Sequence, residues 1–250
     1  QLKALGRIHD REQAIKAIET AQRAGFDNMN LDLMFGLPQQ SIQQAVDDVK
    51  TACDFGTPHL SHYQLTIEPN TYFYKHTPTL PENDLIWDIQ NHCQSVLADY
   101  DYQQYEISAY SKPDQQCLHN VNYWQFGDYL GIGAGAQGKL TSNQHGFKVK
   151  RRWKHRQPQQ YIEQSLAGDA ISGEQSIENK DILFEFLLNA LRLREGASID
   201  IFQQHTGQPF EALKQTVQNI DPALLFINNE RILTTDKGFL FLNEVLQELV

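Results

Sequence analysis

Residues 28–38 read NMNLDLMFGLP, and this stretch decides the fold class. From Met29 to Phe35 every second residue is apolar until a Gly-Leu-Pro turn ends the alternation, which is the pattern of a β-strand. Helical patterns flank it over residues 11–24 and 41–55, and a capping box begins each of them. Because strands that alternate with helices form parallel sheets, the sequence predicts an α/β fold with right-handed crossovers.

The alternation of strands and helices continues along the chain. We expect further strands near residues 59–66, 103–108 and 128–135, and a helix near residues 83–100. The sheet is either open or barrel-like. About four strands are too few to close a barrel of eight, so such a barrel is incomplete or its missing strands precede Gln1. In both forms the site would lie at the carboxyl ends of the strands.

The last part of the chain predicts a separate helical unit. An apolar helix ends before Gly196, a helix led by Ser198 and one more helix follow, and a hairpin through Asn228 precedes a final helix capped by Thr235. This order is typical of a winged-helix domain. Residues 179–250 contain 6 Lys or Arg against 10 Asp or Glu, which opposes DNA binding because a recognition surface should be basic.

The composition excludes several classes of protein. With 40% hydrophobic residues the chain can bury a core, and no apolar stretch approaches the roughly 18 residues of a membrane span, so we expect a soluble protein. A net charge of -10 disfavours a protein that coats nucleic acid. Three cysteines without a CxxC pair favour a reducing compartment, and we expect the cytoplasm.

A glycine-rich segment, residues 133–138, satisfies the G-x-G-x-x-G pattern of dinucleotide-binding proteins. That motif opens a helix and is followed about 20 residues later by an acidic residue. Here no Asp or Glu lies between Asp128 and Glu163. We therefore interpret the segment as a strand of small residues, which either packs tightly or lets a flat ligand approach the backbone.

Asp32 is a candidate binding residue, because a carboxylate within an apolar strand needs a partner. It either pairs structurally with Arg7 or a backbone amide, or it faces the hydroxyls or the amine of a nucleoside-like cofactor. In the second case Arg7 and Glu68 would complete the pocket.

Two further clusters carry candidate chemistry. Residues 148–156 contain six Lys or Arg, which form either a solvated face or a docking place for a phosphate or carboxylate. Farther upstream, His119 precedes the aromatic residues Tyr123 and Trp124. A metal ligand beside a flat stacking surface is what a haem requires.

Five ordered motifs together resemble the HemW-type haem chaperones, which are radical S-adenosylmethionine proteins of the oxygen-independent coproporphyrinogen III oxidase-like family. The motifs are LGRIH at 5–9, NLDLMFGLP at 30–38, YQLTIEP at 63–69, HNVNYW at 119–124 and YLGIGAGA at 129–136. The resemblance covers nearly the whole chain.

The resemblance implies a partial TIM-like (β/α)6 radical SAM barrel followed by a small helical, winged-helix-like domain. Residues 1–145 would be the C-terminal part of the barrel, 146–178 a basic connecting region and 179–250 the last domain. It also implies a [4Fe-4S] cluster that binds S-adenosylmethionine. The family's CxxxCxxC cluster motif would lie upstream, since Cys53, Cys93 and Cys117 have the wrong spacing.

Site residues are carried over from the family motifs position by position. The S-adenosylmethionine pocket would contain Arg7, Asp32 and Thr66. The haem motif HNxxYW corresponds to His119, Asn120, Tyr123 and Trp124, with His119 as the candidate iron ligand. One departure is Gln137, where the family usually has His.

The resemblance implies a protein that binds haem and delivers it to haemoproteins, without nucleic acid and with a transient contact to a membrane. The alternative is an oxygen-independent coproporphyrinogen III oxidase of porphyrin biosynthesis. These alternatives leave open whether the chain is an enzyme.

Overall fold

A computed structural model describes residue 2 and residues 5–144 and 146–249. The chain divides into two compact units, Gln1–Cys117 and Leu118–Val250. The elements of the first unit are α1 (Arg11–Arg23), β1 (Asn30–Phe35), α2 (Ile42–Asp54), β2 (His59–Gln64), α3 (Tyr72–Lys75), α4 (Asn83–Asp99), β3 (Gln103–Gln104) and β4 (Ala109–Ser111).

Both predicted capping boxes are confirmed. The Asp10 carboxylate accepts the backbone N–H of Gln13 at 2.9 Å, and the Gln13 side chain accepts the N–H of Asp10 at 3.0 Å. Ser41 and Gln44 form the same reciprocal pair at the start of α2. These bonds satisfy amide groups that have no partner within the helix, so each helix begins where the sequence predicts.

The sheet of the first unit is only partly parallel, with strand order β1-β2-β4-β3. β1 pairs with β2 in parallel, from Asn30 opposite His59 to Phe35 opposite Gln64. The predicted strand near residues 103–108 is instead a short hairpin of β3 and β4, and β4 runs antiparallel to β2. The loop between β3 and β4 is shorter than the dozen or so residues that a crossover between parallel strands needs, so these two strands pair antiparallel.

One face of this sheet packs against α2 and α4. Leu60, Ile89 and Leu97 are fully buried there, and each large apolar side chain of this kind stabilises the fold by about 1.5–3 kcal/mol. Because side chains alternate along a strand, the opposite face carries Asp32 and Tyr63. The sheet thereby separates an apolar core from a polar surface.

The second unit contains thirteen elements among its described residues. They are α5 (Leu118–Trp124), β5 (Gln137–Ser142), β6 (Lys148–Lys154), α6 (Pro158–Leu166), β7 (Ile171–Ile177), α7 (Asn179–Ala190), β8 (Ala197–Ser198), α8 (Ile199–Thr206), α9 (Phe210–Val217), β9 (Leu225–Ile227), β10 (Arg231–Thr234), α10 (Asp236–Leu240) and α11 (Leu242–Gln247).

The predicted connecting region, residues 146–178, contains two strands and a helix. β6 pairs on both sides, with β5 and with β7, in an antiparallel sheet of three strands. At Gly173 a Cβ atom would lie 2.5 Å from the ring of Trp153 across the strands, so only glycine fits. The sequence does not predict β6 as a strand, because its many charged residues show no alternation of apolar and polar side chains.

The C-terminal helices surround a small aromatic core. α7 brings Phe186 to within 5.1 Å of the Phe202 ring of α8, both fully buried. Ser198 and Thr235 cap the helices that the sequence assigned to them. The final predicted helix is interrupted at Phe241 and forms α10 and α11.

None of the helices built from the described residues has the length and apolarity required to cross a bilayer.

Candidate functional site

Asp32 lies exposed on the polar face of the first unit's sheet. Its Oδ1 atom accepts a 2.8 Å hydrogen bond from the side-chain amide of Asn30. Among the described residues the carboxylate forms no ion pair with Arg7. The pairing with Arg7 that the sequence left open is therefore not found, and Asp32 remains an exposed residue.

Asp32 and Arg7 both act electrostatically on Tyr63. Burial raises the pKa of Tyr63, the charge of Asp32 raises it further and the charge of Arg7 lowers it. Tyr63 stands opposite Met34 in the register of the two parallel strands, two positions beyond Asp32. Both charges therefore lie close enough to the half-buried Tyr63 phenol to change its pKa.

Thr66 and Glu68 follow the end of β2, and both are exposed. Thr66 comes two residues after Gln64, which pairs with the last residue of β1. Its hydroxyl donates to the Gln64 carbonyl at 3.4 Å, a long hydrogen bond. The segment thus begins at the edge where both parallel strands end, as expected for a ligand site in such a sheet.

A chain of hydrogen bonds links Asp32 to residues that the sequence does not single out. The side-chain oxygen of Asn30 lies 2.7 Å from His59 Nδ1, and His59 Nε2 lies 2.7 Å from the Tyr105 hydroxyl. Burial lowers the pKa of His59, and the charge of Asp32 partly opposes this shift. Because 29 residues separate Asn30 from His59, only strand register reveals the contact.

The predicted haem motif forms the short helix α5 in the second unit. His119 is exposed in its first turn, whereas Tyr123 and Trp124 are half-buried. Residues four apart lie on one face of a helix, so His119 and Tyr123 share a face. Asn120 is half-buried on the same helix.

An aromatic cluster supports this helix. The ring centroid of Tyr123 lies 5.1 Å from that of Trp124 and 5.3 Å from that of Tyr129. The Arg192 guanidinium lies 5.2 Å from the centroid of the Trp124 ring. The indole N–H of Trp124 is buried and has no hydrogen-bond partner among the described residues. A buried donor without a partner costs free energy, so this N–H is a local cost within the predicted motif.

The turn after α5 depends on a contact between Asn122 and Gly127. The side-chain amide of Asn122 donates to the carbonyl of Asp128 at 3.0 Å. A Cβ atom at Gly127 would lie 2.1 Å from the Asn122 side-chain oxygen, so any larger residue would displace it. The motif's second asparagine is thus structural, a role that spacing alone does not show.

The glycine-rich segment is a loop and not the strand predicted near residues 128–135. Gly133 and Gly135 have positive φ angles of 113° and 72°, which residues with a side chain rarely adopt. At Gly131 a Cβ atom would lie 2.2 Å from the carbonyl oxygen of Gln137. The glycines therefore permit a tight loop that closes onto β5, and they bring Ile132 to the surface with 86% exposure.

An ion pair with the buried side chain of Lys139 joins Asp128 to β5. The Lys139 side chain is 2% exposed, and its Nζ lies 2.9 Å from Asp128 Oδ1 and 2.8 Å from the Phe126 carbonyl oxygen. Burial opposes ionisation of Asp128, but hydrogen bonds from Lys139 and Thr141 lower its pKa overall. This pair fixes the segment that connects α5 to the glycine-rich loop.

The basic run is partly neutralised within its own sheet. Glu174 pairs with Lys150 and Arg152, and Glu185 lies 2.6 Å from Arg151. In the described part of the chain the cations of this run without an ion pair are Lys148, Lys154 and Arg156. Residues 148–156 therefore offer fewer unpaired positive charges to a ligand than their six Lys and Arg residues indicate.

The cysteines do not form a cluster site. Cys53 and Cys93 are buried in the apolar core, where burial raises the pKa of each thiol, to about 11 and about 12. Residues 2, 5–144 and 146–249 contain no group of three His, Cys, Asp or Glu side chains that would hold a metal ion. An iron–sulfur cluster needs ionised thiolates, so these residues do not fit one.

Comparison with known proteins places these features in a family context. Residues 177–241 match the HemN C-terminal domain family. The chain is 42% identical to the protein named haem chaperone HemW of Haemophilus influenzae over 99% of its own length and 63% of that protein. It is 42% identical to Escherichia coli HemW, over 99% of this chain and 64% of that protein. The chain thus spans less than two thirds of these relatives.

A solved structure shows the same fold. It is described as coproporphyrinogen III oxidase (HemN) from Escherichia coli, a radical SAM enzyme, and matches 99% of this chain and 60% of its own with a TM-score of 0.75 at 18% identity. At that identity the match establishes the mixed α/β fold alone. The predicted resemblance to the HemW-type family is confirmed over 99% of this chain.

Proposed function

We propose that this chain binds haem as cargo and passes it to haemoproteins, on a radical SAM scaffold. The observation that carries the proposal is the arrangement on α5, where exposed His119 shares a helix face with Tyr123. Relatives that align with nearly the whole chain are named haem chaperones, which supports the same function.

The surroundings of His119 suit a cargo that must leave again. Leu118, which precedes His119 in the sequence, is 82% exposed, and Leu130, which follows Tyr129, is 75% exposed, so both segments present apolar surface to a ligand. An imidazole nitrogen ligates haem iron, and aromatic and aliphatic groups cover the porphyrin. Since the His119 imidazole is exposed at the surface, an acceptor protein can reach haem bound to it without unfolding the site.

Cations near the glycine-rich loop would bind the haem propionates. Gly135 donates its N–H to the His155 carbonyl at 2.8 Å, so the end of the basic run lies against the loop. Lys154 and Arg156 flank His155 and have no ion pair among the described residues. Lys and Arg bind carboxylates through charge-assisted hydrogen bonds.

The polar face of the first unit would hold S-adenosylmethionine. Asp32 presents a carboxylate already oriented by Asn30, while Arg7 acts on the same phenol as Asp32. Thr66 follows the strand end beside them. When bound to a cluster this cofactor supplies a radical after reductive cleavage, but the residues described here do not fit the cluster, and our proposal for haem needs no such step.

The proposed domain layout follows the family. Residues 1–145 would correspond to the C-terminal part of a radical SAM barrel, and residues 179–250 to a winged-helix-like domain. The three-stranded sheet of residues 137–177 falls within one compact unit with the C-terminal helices. We also propose a cytoplasmic location, because all three cysteines are free thiols.

An anaerobic haem titration of the natural full-length protein tests the function. We expect saturable binding, followed by Soret absorbance, that weakens at least tenfold in His119→Ala. His92→Ala is the matched control, since His92 is also exposed on a helix. Transfer of bound haem to an apo-haemoprotein should then be measurable as a shift of the Soret spectrum.

Two outcomes would overturn the proposal. Absence of saturable binding in the unmodified protein would remove the chaperone function. Conversion of coproporphyrinogen III by the reduced protein, with turnover beyond one equivalent, would instead support the oxidase alternative.

A further inference from the structure

The chain of hydrogen bonds behind Asp32 has one internally consistent direction. Asp32 Oδ1 lies 2.8 Å from Asn30 Nδ2, and an ionised carboxylate can only accept hydrogen bonds. The amide nitrogen of Asn30 must therefore face Asp32. Its oxygen then faces the opposite way, toward His59 Nδ1 at 2.7 Å and the Ser61 hydroxyl at 3.1 Å.

This orientation determines the tautomer of His59. Because the Asn30 oxygen accepts, His59 Nδ1 must carry a proton. In the neutral ring Nε2 is then the acceptor, and the Tyr105 hydroxyl at 2.7 Å donates to it. Tyr105, His59 and Asn30 thus each donate to the next member, and the last acceptor is Asp32.

Within this series of hydrogen bonds, the residues farthest from Asp32 are the most buried. Asp32 is exposed, whereas His59 and Tyr105 are each 5% exposed. A hydrogen bond inside a protein is less weakened by competing water, so a buried polar chain holds its members in one arrangement. Burial also lowers the pKa of His59, which favours the neutral ring that the arrangement requires.

We propose that Tyr105, His59 and Asn30 are positioning residues that hold Asp32 as a fixed acceptor for the donors of its ligand. The inference rests on the proposed cofactor pocket and deepens it. Asn30 donates to Oδ1, and Oδ2 has no hydrogen bond among the described residues, so Oδ2 is available to the ligand and the ligand group must be a donor. Hydroxyl pairs of a ribose or an ammonium group satisfy this requirement, whereas a phosphate or carboxylate does not.

The tautomer of His59 is the direct readout. Nitrogen-15 NMR of the natural full-length protein labelled at histidine should show His59 protonated at Nδ1, although free imidazole side chains favour protonation at Nε2. In Tyr105→Phe the Asn30 oxygen still requires a proton on Nδ1, so we expect the tautomer to persist while the Nε2 resonance moves to the position of an acceptor that has lost its donor. If Tyr105 only packed against His59 and donated no hydrogen bond, the Nε2 resonance would stay unchanged.

Binding of S-adenosylmethionine, measured by equilibrium dialysis with the cluster reconstituted, gives the second readout. We expect affinity to fall about threefold in Tyr105→Phe and about tenfold in His59→Phe, from the loss of one or two buried hydrogen bonds. His59→Asn retains an N–H near the position of Nδ1, so it should bind within about threefold of the unmodified protein.

A matched control lies on the same strand. His62 is buried like His59 but points to the other face of the sheet, where it stacks on Phe35. His62→Phe should leave both the His59 tautomer and the affinity unchanged. Thermal melting of each variant identifies those that lose affinity because they unfold.

The outcomes separate this inference from the pocket itself. If the unmodified protein does not bind S-adenosylmethionine, or if Asp32→Ala binds equally well, the proposed pocket is wrong. If Asp32→Ala loses binding while His59→Phe and Tyr105→Phe keep it, the pocket stands and the positioning role is wrong. An Nε2-protonated His59 in the unmodified protein would also overturn the inference.

Discussion

His62 stacks on Phe35 within the core of the first unit, with ring centroids 4.5 Å apart and planes 18° apart. The imidazole is 4% exposed, and its Nδ1 atom has no hydrogen-bond partner among the described residues. Burial lowers the pKa of His62 from 6.5 to about 4. The side chain therefore serves as a neutral, nearly apolar ring, and its ionisable character is a liability for stability.

This burial predicts a loss of stability in acid. The unfolded chain binds a proton on His62 near pH 6.5, while the folded chain binds it only near pH 4, so the free energy of unfolding falls as pH decreases between these values. From pH 7 to pH 5 the expected loss from this group is about 2 kcal/mol. His62→Phe should remove this loss. Urea unfolding at both pH values measures it, and the prediction is wrong if His62→Phe loses as much stability between pH 7 and pH 5 as the unmodified protein.

The ion pair of Lys139 and Asp128 predicts a second stability effect. Asp128→Asn would leave the buried ammonium of Lys139 without its carboxylate. We expect a loss of about 2 kcal/mol, less than the roughly 3–5 kcal/mol of a fully buried pair, because the Asp128 side chain is 40% exposed. Adding Lys139→Met removes the isolated cation and should recover part of the loss. Urea unfolding of the single and double variants measures both effects.

The same pair has a defined dependence on pH. The pKa of Asp128 is lowered in the folded protein, so the carboxylate contributes stability above its unfolded pKa and loses it as pH falls through the folded value. Asp128→Asn should therefore lose less stability than the unmodified protein on acidification below about pH 4. Equal acid sensitivity of the two proteins would show that the pair does not ionise as described.

Gly127 predicts a local effect on α5, the helix that carries the proposed haem ligand. Gly127→Ala places a Cβ atom 2.1 Å from the side-chain oxygen of Asn122, and such overpacking costs about 1–3 kcal/mol. The melting temperature should fall by roughly 3–10 °C, and haem affinity should fall with it because α5 loses its support. Gly168→Asn is the control, since no atom lies within 4 Å of a Cβ there and Asn tolerates a positive φ. An unchanged melting temperature in Gly127→Ala would contradict the contact.

The sequence predicted those parts of the fold that depend on neighbouring residues. Asp10 with Gln13 and Ser198 with Ile201 are separated by three positions, so their spacing shows the cap directly. The glycine-rich segment misled because glycines have no side chains to reveal a period, and its positive φ angles at Gly133 and Gly135 exclude a strand. Local patterns of polar side chains carry more information than runs of small residues.

The site was predictable only for residues within continuous motifs. His119 and Tyr123 lie on one short helix, so their shared face follows from the sequence. The partners of Asp32 come from other elements, since 46 residues separate His59 from Tyr105. Likewise, Glu174 lies 24 residues from Lys150, and only the pairing of β6 with β7 brings the two side chains together.

Glu174 provides a test of whether the cations of β6 bind the propionates of the proposed haem ligand. Glu174→Gln would release Lys150 and Arg152 from their ion pairs and add one net positive charge to the face. If haem propionates dock on this strand, affinity at low salt should rise about two- to fivefold and become more sensitive to salt. Glu178→Gln changes the net charge equally but removes only the exposed pair with Lys180. Haem titrations at two salt concentrations compare the variants, and equal affinities in both would exclude the strand as the propionate site without bearing on His119 as the proposed iron ligand.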